Sequence, residues 1–307
     1  MLVQRILTAS VLVALVVLAI FELSANYFSL FIAIVTLMGG WEWMKLTDVD
    51  GLRRRGVFIL SLILPMLGVT YWTLFLEFLG ESMEWPEVKE YSDALEWFAI
   101  MPVLFWILAM MLIRQASGEL LRMAFGPKLQ AFIGWLVLFS AWMFLTKLRA
   151  YYGSGMTLYF LALIWAADIG AYFVGKRWGK DKLAPEVSPG KTIQGMYGAL
   201  VSALVCGIGF MIYGKSIAQD PAEAQEGMLR YLDELVFFDI MLLSVFTVLV
   251  SIYGDLFFSL VKRRKGVKDS GNLLPGHGGV LDRVDSVIAA APFFYAGLLL
   301  IGRIFYS

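Results

Sequence analysis

The sequence predicts an all-α integral membrane protein with about nine transmembrane helices, its N-terminus cytoplasmic and its C-terminus outside. Three observations carry that prediction. Of the 307 residues, 60% are hydrophobic and only 16% are charged, and the mean hydropathy is +0.75, well beyond that of a soluble domain. Apolar runs long enough to cross a bilayer follow one another along the whole chain. The charged residues gather between those runs, with basic and acidic connections alternating.

In chain order the runs cover approximately residues 6–22, 27–44, 57–79, 95–113, 129–147, 156–174, 193–213, 236–256 and 285–304, close to the ~17–25 residues that a spanning helix needs. The first follows a lone Arg5 but no small-residue cleavage site comes after it, so it is expected to stay as a helix rather than to be a removed signal. Glu22 and Asn26 leave only a tight turn before the second. The third follows the Arg53–Arg55 cluster, and the fourth follows the acidic connection "GESMEWPEVKEYSD". The fifth to seventh are separated by "LRAYYGSG" and by a basic, glycine-rich stretch. The eighth follows a second acidic connection, "AQDPAEAQEGMLRYLDE", and the ninth follows the polar segment 268–285.

With the N-terminus inside, most Lys and Arg fall on cytoplasmic segments, from Arg5 through Lys45, Arg114, Lys128 and Lys176 to Lys262–Lys265. Lys89, Lys147, Arg149, Lys215, Arg230 and Arg303 fall on the other side with the acidic connections, so every loop obeys the positive-inside rule. Two regions are expected. Residues 1–150 supply about five N-terminal helices, and residues 151–307 supply a catalytic region with cytoplasmic loops at 175–192 and 257–284. The formal net charge of +0 gives no reason to expect a nucleic-acid partner, and the single Cys206 excludes an internal disulfide and a cysteine-rich metal site.

The segment "KDSGNLLPGHGGVLDRVD", Lys268–Asp285, concentrates polar chemistry between two apolar runs. Asp282 and Asp285 are three residues apart, so a helix starting near Val280 turns both carboxylates to one side, where two hard oxygen ligands suit Mg²⁺ better than zinc. Helix capping is the alternative reading of an acidic first turn. The glycines of "PGHGG", including Gly278 and Gly279, allow amide groups to approach an anion, and His277 could bind a phosphate or transfer a proton. Asp255 and Asp168 are carboxylates at bilayer depth, each costing about 2.5–3.5 kcal/mol unless compensated, and are functional candidates for that reason. Lys262 and Arg263 follow Asp255 by two helical turns. "APEVSPGKTIQG" fails as a Walker A loop because Pro185 stands where its first glycine belongs. What remains is a turn at a helix start in which Ser188, Lys191 and Thr192 could hold phosphate oxygens.

"SLVKRRKGVKDSGNLLPGHGGVLDRVD", Ser259–Asp285, resembles the signature of the phosphatidate cytidylyltransferases, also called CDP-diacylglycerol synthases. The resemblance extends through "GDLFFS", "SPGKT" and "WAADIGAY", and more loosely through "WEW" at 41–43. Phe258 and Gln194 depart from it, standing where such families often carry Glu. The resemblance implies transfer of a cytidylyl group from CTP to phosphatidic acid, giving CDP-diacylglycerol and pyrophosphate. It implies a Mg²⁺ requirement and metal binding by Asp255, Asp282 and Asp285. Two neighbouring cations would neutralise the anionic substrates and the leaving group. Lys191, Lys262, Arg263, Lys268 and Arg283 are the candidates for phosphate oxygens. No general base is obligatory, since phosphatidate is already ionised, so His277 is expected to bind phosphate. The catalytic set is thus Asp255, Asp282, Asp285, Lys268, His277 and Arg283, with Asp168, Ser188, Lys191, Thr192, Lys262, Arg263, Gly278 and Gly279 as substrate contacts. The expected partners are CTP, phosphatidic acid and the lipid bilayer, with homodimer formation left open, in a multi-pass protein of the inner membrane with its site on the cytoplasmic side. A CTP-dependent polyprenol kinase is the alternative, followed by a secondary transporter. A CDP-alcohol phosphatidyltransferase motif is absent from the sequence.

Overall fold

The computed structural model describes residues 2–47, 51–83, 94–218, 234–274, 276 and 278–302. The protein is a multi-span helical membrane protein. Among the described residues seven helices are long and apolar enough to cross a bilayer, and a shorter apolar stretch, Thr8–Glu22, lies in the first helix. The helices are α1 (Leu2–Glu22), α2 (Ala25–Leu46), α3 (Leu52–Ser82), α4 (Ile100–Arg122, entered by a 3₁₀ turn over Ala94–Ala99), α5 (Pro127–Trp178), α6 (Ile193–Ala218), α7 (Glu234–Arg264) and α8 (Leu281–Leu300).

Among the described residues each expected run lies mainly on a helix, the fourth entered through the 3₁₀ turn and the end of the ninth, 303–304, lying outside the described residues, and two local features differ from the expectation. The stretch 147–156 is not a loop. "RAYYGSG" contains no proline, and the break between the fifth and sixth runs is a kink within α5, which spans 52 residues with non-helical geometry at Gly153, φ 77° and ψ −177°. A straight helix of that length would run about 78 Å, more than twice a ~30 Å hydrocarbon core. Gly153 divides it into limbs 127–152 and 154–178. The second difference is that Ser188–Thr192 is a strand, β2, paired antiparallel with β1 (Lys182–Ala184), where a simple turn was expected. The described fold is therefore helical except for one short hairpin.

Polar groups fasten the bundle where helices end or bend. Arg149 of α5 donates to the carbonyls of Ile20 (2.9 Å) and Leu23 (3.2 Å), closing the C-terminal end of α1 with a cation, as the helix dipole favours. Trp43 of α2 is almost fully buried and donates to Gln130 O at 3.1 Å. Its ring meets Phe257 and Phe258 of α7, and Phe257 also packs against Phe105 and Trp106 of α4. Phe258 is thus a core residue. α5 packs chiefly against α6, and α7 against α8. The α7–α8 contact is so close that a methyl group on Gly254 would overlap the Ala289 side chain, with Asp285 O 3.2 Å away. Only glycine permits that approach, and it sets Asp255, the next residue, beside the first turns of α8.

Candidate active site

Helices α1, α2, α5, α7 and α8, the start of α6 and the β1–β2 hairpin line a cavity of about 1330 Å³. One part of its wall is apolar, with Leu12 and Val16 of α1, Phe31 and Val35 of α2 and Leu161 of α5. The other part carries Asp168, Lys191, Thr192, Asp255, Lys262, Arg263, Lys268, Asp282, Arg283 and Asp285. A chamber with both linings accepts an amphiphile, whose charged end and hydrocarbon need different surroundings.

The centre of the polar part is Asp255. Lys191, the fourth residue of β2, reaches across to α7 and places Nζ 2.7 Å from Asp255 Oδ2 and 3.1 Å from Ile252 O. Ser259, one turn further along α7, donates to Asp255 Oδ1 at 3.2 Å. Asp255 also interacts electrostatically with Lys262, with Asp168 and with Asp285. Asp285 is buried, and the one hydrogen bond that its carboxylate accepts among the described residues is from Ser286 N, at 2.8 Å. Asp168 is open to the cavity from the second limb of α5. Three carboxylates thus share a pocket with two lysines, an arrangement that burial would forbid without compensating cations.

Asp282 is held differently. Its Oδ1 receives Lys262 Nζ at 2.6 Å, and its Oδ2 accepts Ser270 N at 2.8 Å and Gly279 N at 3.0 Å. It ties the loop after α7 to the start of α8. The spacing of three does turn Asp282 and Asp285 into the same cavity, yet no group of three or more His, Cys, Asp or Glu among the described residues is arranged to hold a metal ion. The set of three metal ligands is therefore not assembled here: Asp255 and Asp285 interact, while both oxygens of Asp282 are engaged by Lys262 and the backbone.

The remaining expected residues divide in the same way. Lys268 and Arg283 are exposed side chains on the cavity wall. Arg263 donates to Val187 O (3.4 Å) and Val267 O (3.1 Å), linking the hairpin to the end of α7. Thr192 is buried and its hydroxyl accepts Gly195 N at 3.1 Å, capping α6. Ser188 begins β2 and is half-buried. Gly278, with φ 86°, closes a tight loop by accepting Leu274 N at 2.9 Å. Gly279 gives its amide to Asp282, and His277 lies outside the described residues.

Two contributors are not among the expected site residues. Gln194 accepts Lys180 N (3.0 Å) and Asp181 N (3.2 Å) and donates to Asp181 Oδ2 (2.7 Å), which shapes the turn before the hairpin without a carboxylate. Glu42 of α2 is completely buried and accepts Val280 N (2.9 Å), Leu281 N (2.9 Å) and the Ser270 hydroxyl (2.8 Å). The signal for it in the sequence is a lone acid between two tryptophans on an apolar helix.

Residues 3–301 match the model of the family described as "Cytidylyltransferase family". The chain belongs to the cytidylyltransferase family. Curated relatives within reach of the full chain include the phosphatidate cytidylyltransferase of Haemophilus influenzae, 36% identical over 301 residues that cover 96% of this chain and 97% of the relative. The phosphatidate cytidylyltransferase of Pseudomonas aeruginosa is 34% identical over 297 residues, covering 96% of each. That of Bacillus subtilis is 42% identical over 144 residues, 47% of each chain. In this cytidylyltransferase family member the signature segment 259–285 is the part that joins α7 to α8 and encloses the polar end of the cavity.

Proposed function

We propose that the protein transfers the cytidylyl group of CTP to phosphatidic acid, forming CDP-diacylglycerol and pyrophosphate for phospholipid synthesis. The observation that carries this reading is the two-part cavity, with Lys191, Asp255 and Asp285 at its polar end and the apolar walls of α1 and α2 at the other. Such a chamber holds a lipid phosphate beside a nucleotide. The full-length relatives named phosphatidate cytidylyltransferase support the same reading.

In the reaction a phosphate oxygen of phosphatidate attacks the α-phosphorus of CTP. The new P–O bond forms as the bond from the α-phosphorus to the bridging oxygen breaks, and pyrophosphate leaves with the electron pair. No proton has to be removed from the attacking group at neutral pH. Lys191, Lys262, Arg263, Lys268 and Arg283 bind and orient the phosphate oxygens, exchanging their present partners for substrate. Asp168 faces the same chamber and helps to fix the cations' positions. Ser188, Thr192, Gly278 and Gly279 shape the hairpin and loop that carry those cations, and His277 adds a phosphate contact.

The donor chemistry fits Mg²⁺, which is commonly bound through one or two carboxylates together with substrate phosphates. Asp255 and Asp285 would hold it, with Asp168 available to a second cation, whereas Asp282 would first have to release Lys262. When bound, such ions offset the charge of the reacting phosphates and of the leaving group.

The proposed topology has nine crossings, with the two limbs of α5 spanning separately, the N-terminus and active site cytoplasmic, the C-terminus outside, and the whole in the inner membrane. Residues 1–150 then form the N-terminal helical region and 151–307 the catalytic one. The protein purified in detergent with phosphatidate, CTP and Mg²⁺ tests the activity by mass spectrometry of the lipid. A gain of one cytidine monophosphate unit is expected. A gain of one phosphate would make it a CTP-dependent lipid kinase instead.

A further inference from the structure

We propose that Glu42 is a positioning residue for cytidylyl transfer: from α2 its carboxylate sets Ser270 and the first turn of α8, and thereby the phosphate-facing cations that flank them, without touching substrate. This inference rests on the transferase reading above. Glu42 is 0% exposed and does not line the cavity, although Met38 and Gly39, one turn before it, do. Its three donors come from two places on the signature segment: Ser270 before the tight loop, and Val280 and Leu281 after it. A carboxylate inside a helical membrane bundle costs several kcal/mol unless donors surround it, so its retention there calls for a specific partner. The partner is the unpaired amide end of α8, whose dipole favours an anion.

Ser270 makes the loop a bridge between two carboxylates, giving its N–H to Asp282 and its hydroxyl to Glu42. Gly279 lies between the same groups. A methyl group there would overlap the Ser270 hydroxyl and Glu42 Oε2, and one on Gly271 would come within 2.5 Å of Glu42 Oε1. Glu42 and Asp282 together therefore clamp the loop that carries Lys268 and leads into Arg283, and Asp282 is in turn the anchor of Lys262. Glutamine has the same shape, but its NH₂ would face N–H donors and lose the charge that holds them.

The test uses the full chain in detergent, with Glu42→Gln, Ser270→Ala and the double variant. Measurements are KM for CTP and for phosphatidate, thermal unfolding, and the rate of trypsin cleavage after Lys265 and Lys268. Glu42→Gln is expected to raise KM for CTP about tenfold, equivalent to about 1.4 kcal/mol. KM for phosphatidate should rise less than that for CTP, because the apolar walls of α1 and α2, which do not hang on the loop, still hold its acyl chains. Ser270→Ala should raise KM for CTP about threefold, and the double variant should be no worse than Glu42→Gln, since both act through one contact. Trypsin should cut the loop faster in each variant. An unfolded fraction lowers the apparent kcat but cannot move KM. An unchanged KM for CTP with an unchanged cleavage rate would overturn the proposal, and Ser270→Ala decides it alone if Glu42→Gln fails to fold. If the wild type transfers no cytidylyl group, the activity reading fails, while loop cleavage still reports whether Glu42 positions the segment.

Discussion

Replacing Lys262 by Met should separate what the Lys262–Asp282 pair does for the fold from what Lys262 does for the reaction. The side chains are only 11% and 6% exposed, with Nζ and Oδ1 2.6 Å apart. Removing one partner of a buried pair costs about 3–5 kcal/mol, mostly from the charge left behind. Asp282 would keep the amides of Ser270 and Gly279, so the loss is expected at the low end, about 3 kcal/mol. In Lys262→Met/Asp282→Asn the Asp282 charge is no longer stranded and the asparagine oxygen still accepts an amide, so about 1–2 kcal/mol should be recovered, the remainder reflecting the loss of Lys262 from beside Asp255 and Asp285. Activity should not return, because the phosphate-binding cation is gone. Unfolding by SDS or heat in detergent micelles, followed by tryptophan fluorescence, reads the stability, and lipid labelling reads the activity. A Lys262→Met variant within about 0.5 kcal/mol of wild type, or a double variant no more stable than the single, would refute the reasoning.

Three further outcomes are expected. Asp255→Asn and Asp285→Asn should each lower turnover about 100-fold or more in Mg²⁺-dependent assays, and Asp285→Asn should unfold no more easily than wild type, since its carboxylate is buried with only Ser286 N as a hydrogen-bond donor among the described residues. Gly254→Ala should destabilise the protein by about 1–3 kcal/mol by forcing α7 from α8, and Ala289→Gly in the same chain should recover most of that loss and of the activity. In a Cys206→Ala background, Asp181→Cys and Lys265→Cys should react with an impermeant maleimide only from the cytoplasmic face; labelling of the two from opposite faces would rule out a shared site.

The helical architecture was legible because bilayer crossing imposes one requirement, a run of apolar residues, that single residues report directly. The signature segment was legible for a related reason: Lys262, Asp282 and Asp285 are too polar to lie between apolar helices without a task. What escaped depends on contacts between distant parts of the chain. Glu42 meets Val280 and Leu281 across more than two hundred residues, and nothing in its neighbours Trp41 and Trp43 announces that meeting. Asp282 and Asp285 look equivalent by spacing, but the loop amides that claim Asp282 are placed by the fold. The β1–β2 hairpin was hidden because Pro189 and Gly190 signal a turn as readily as a strand end, and the connection inside α5 reads as a loop because composition does not tell a one-residue kink at Gly153 from a longer break.

In the proposed reaction the cytidylyl group reaches the lipid at the polar end of the cavity, built by β2, α7 and α8. The most direct measurement compares [α-³²P]CTP with [γ-³²P]CTP in the presence of phosphatidate, for wild type and for Lys191→Ala and Asp255→Asn. Label from the α position should appear in the lipid with wild type, none should arrive from the γ position, and both variants should transfer little. Lipid labelled from the γ position, or α-label transferred at wild-type rates by both variants, would contradict the account.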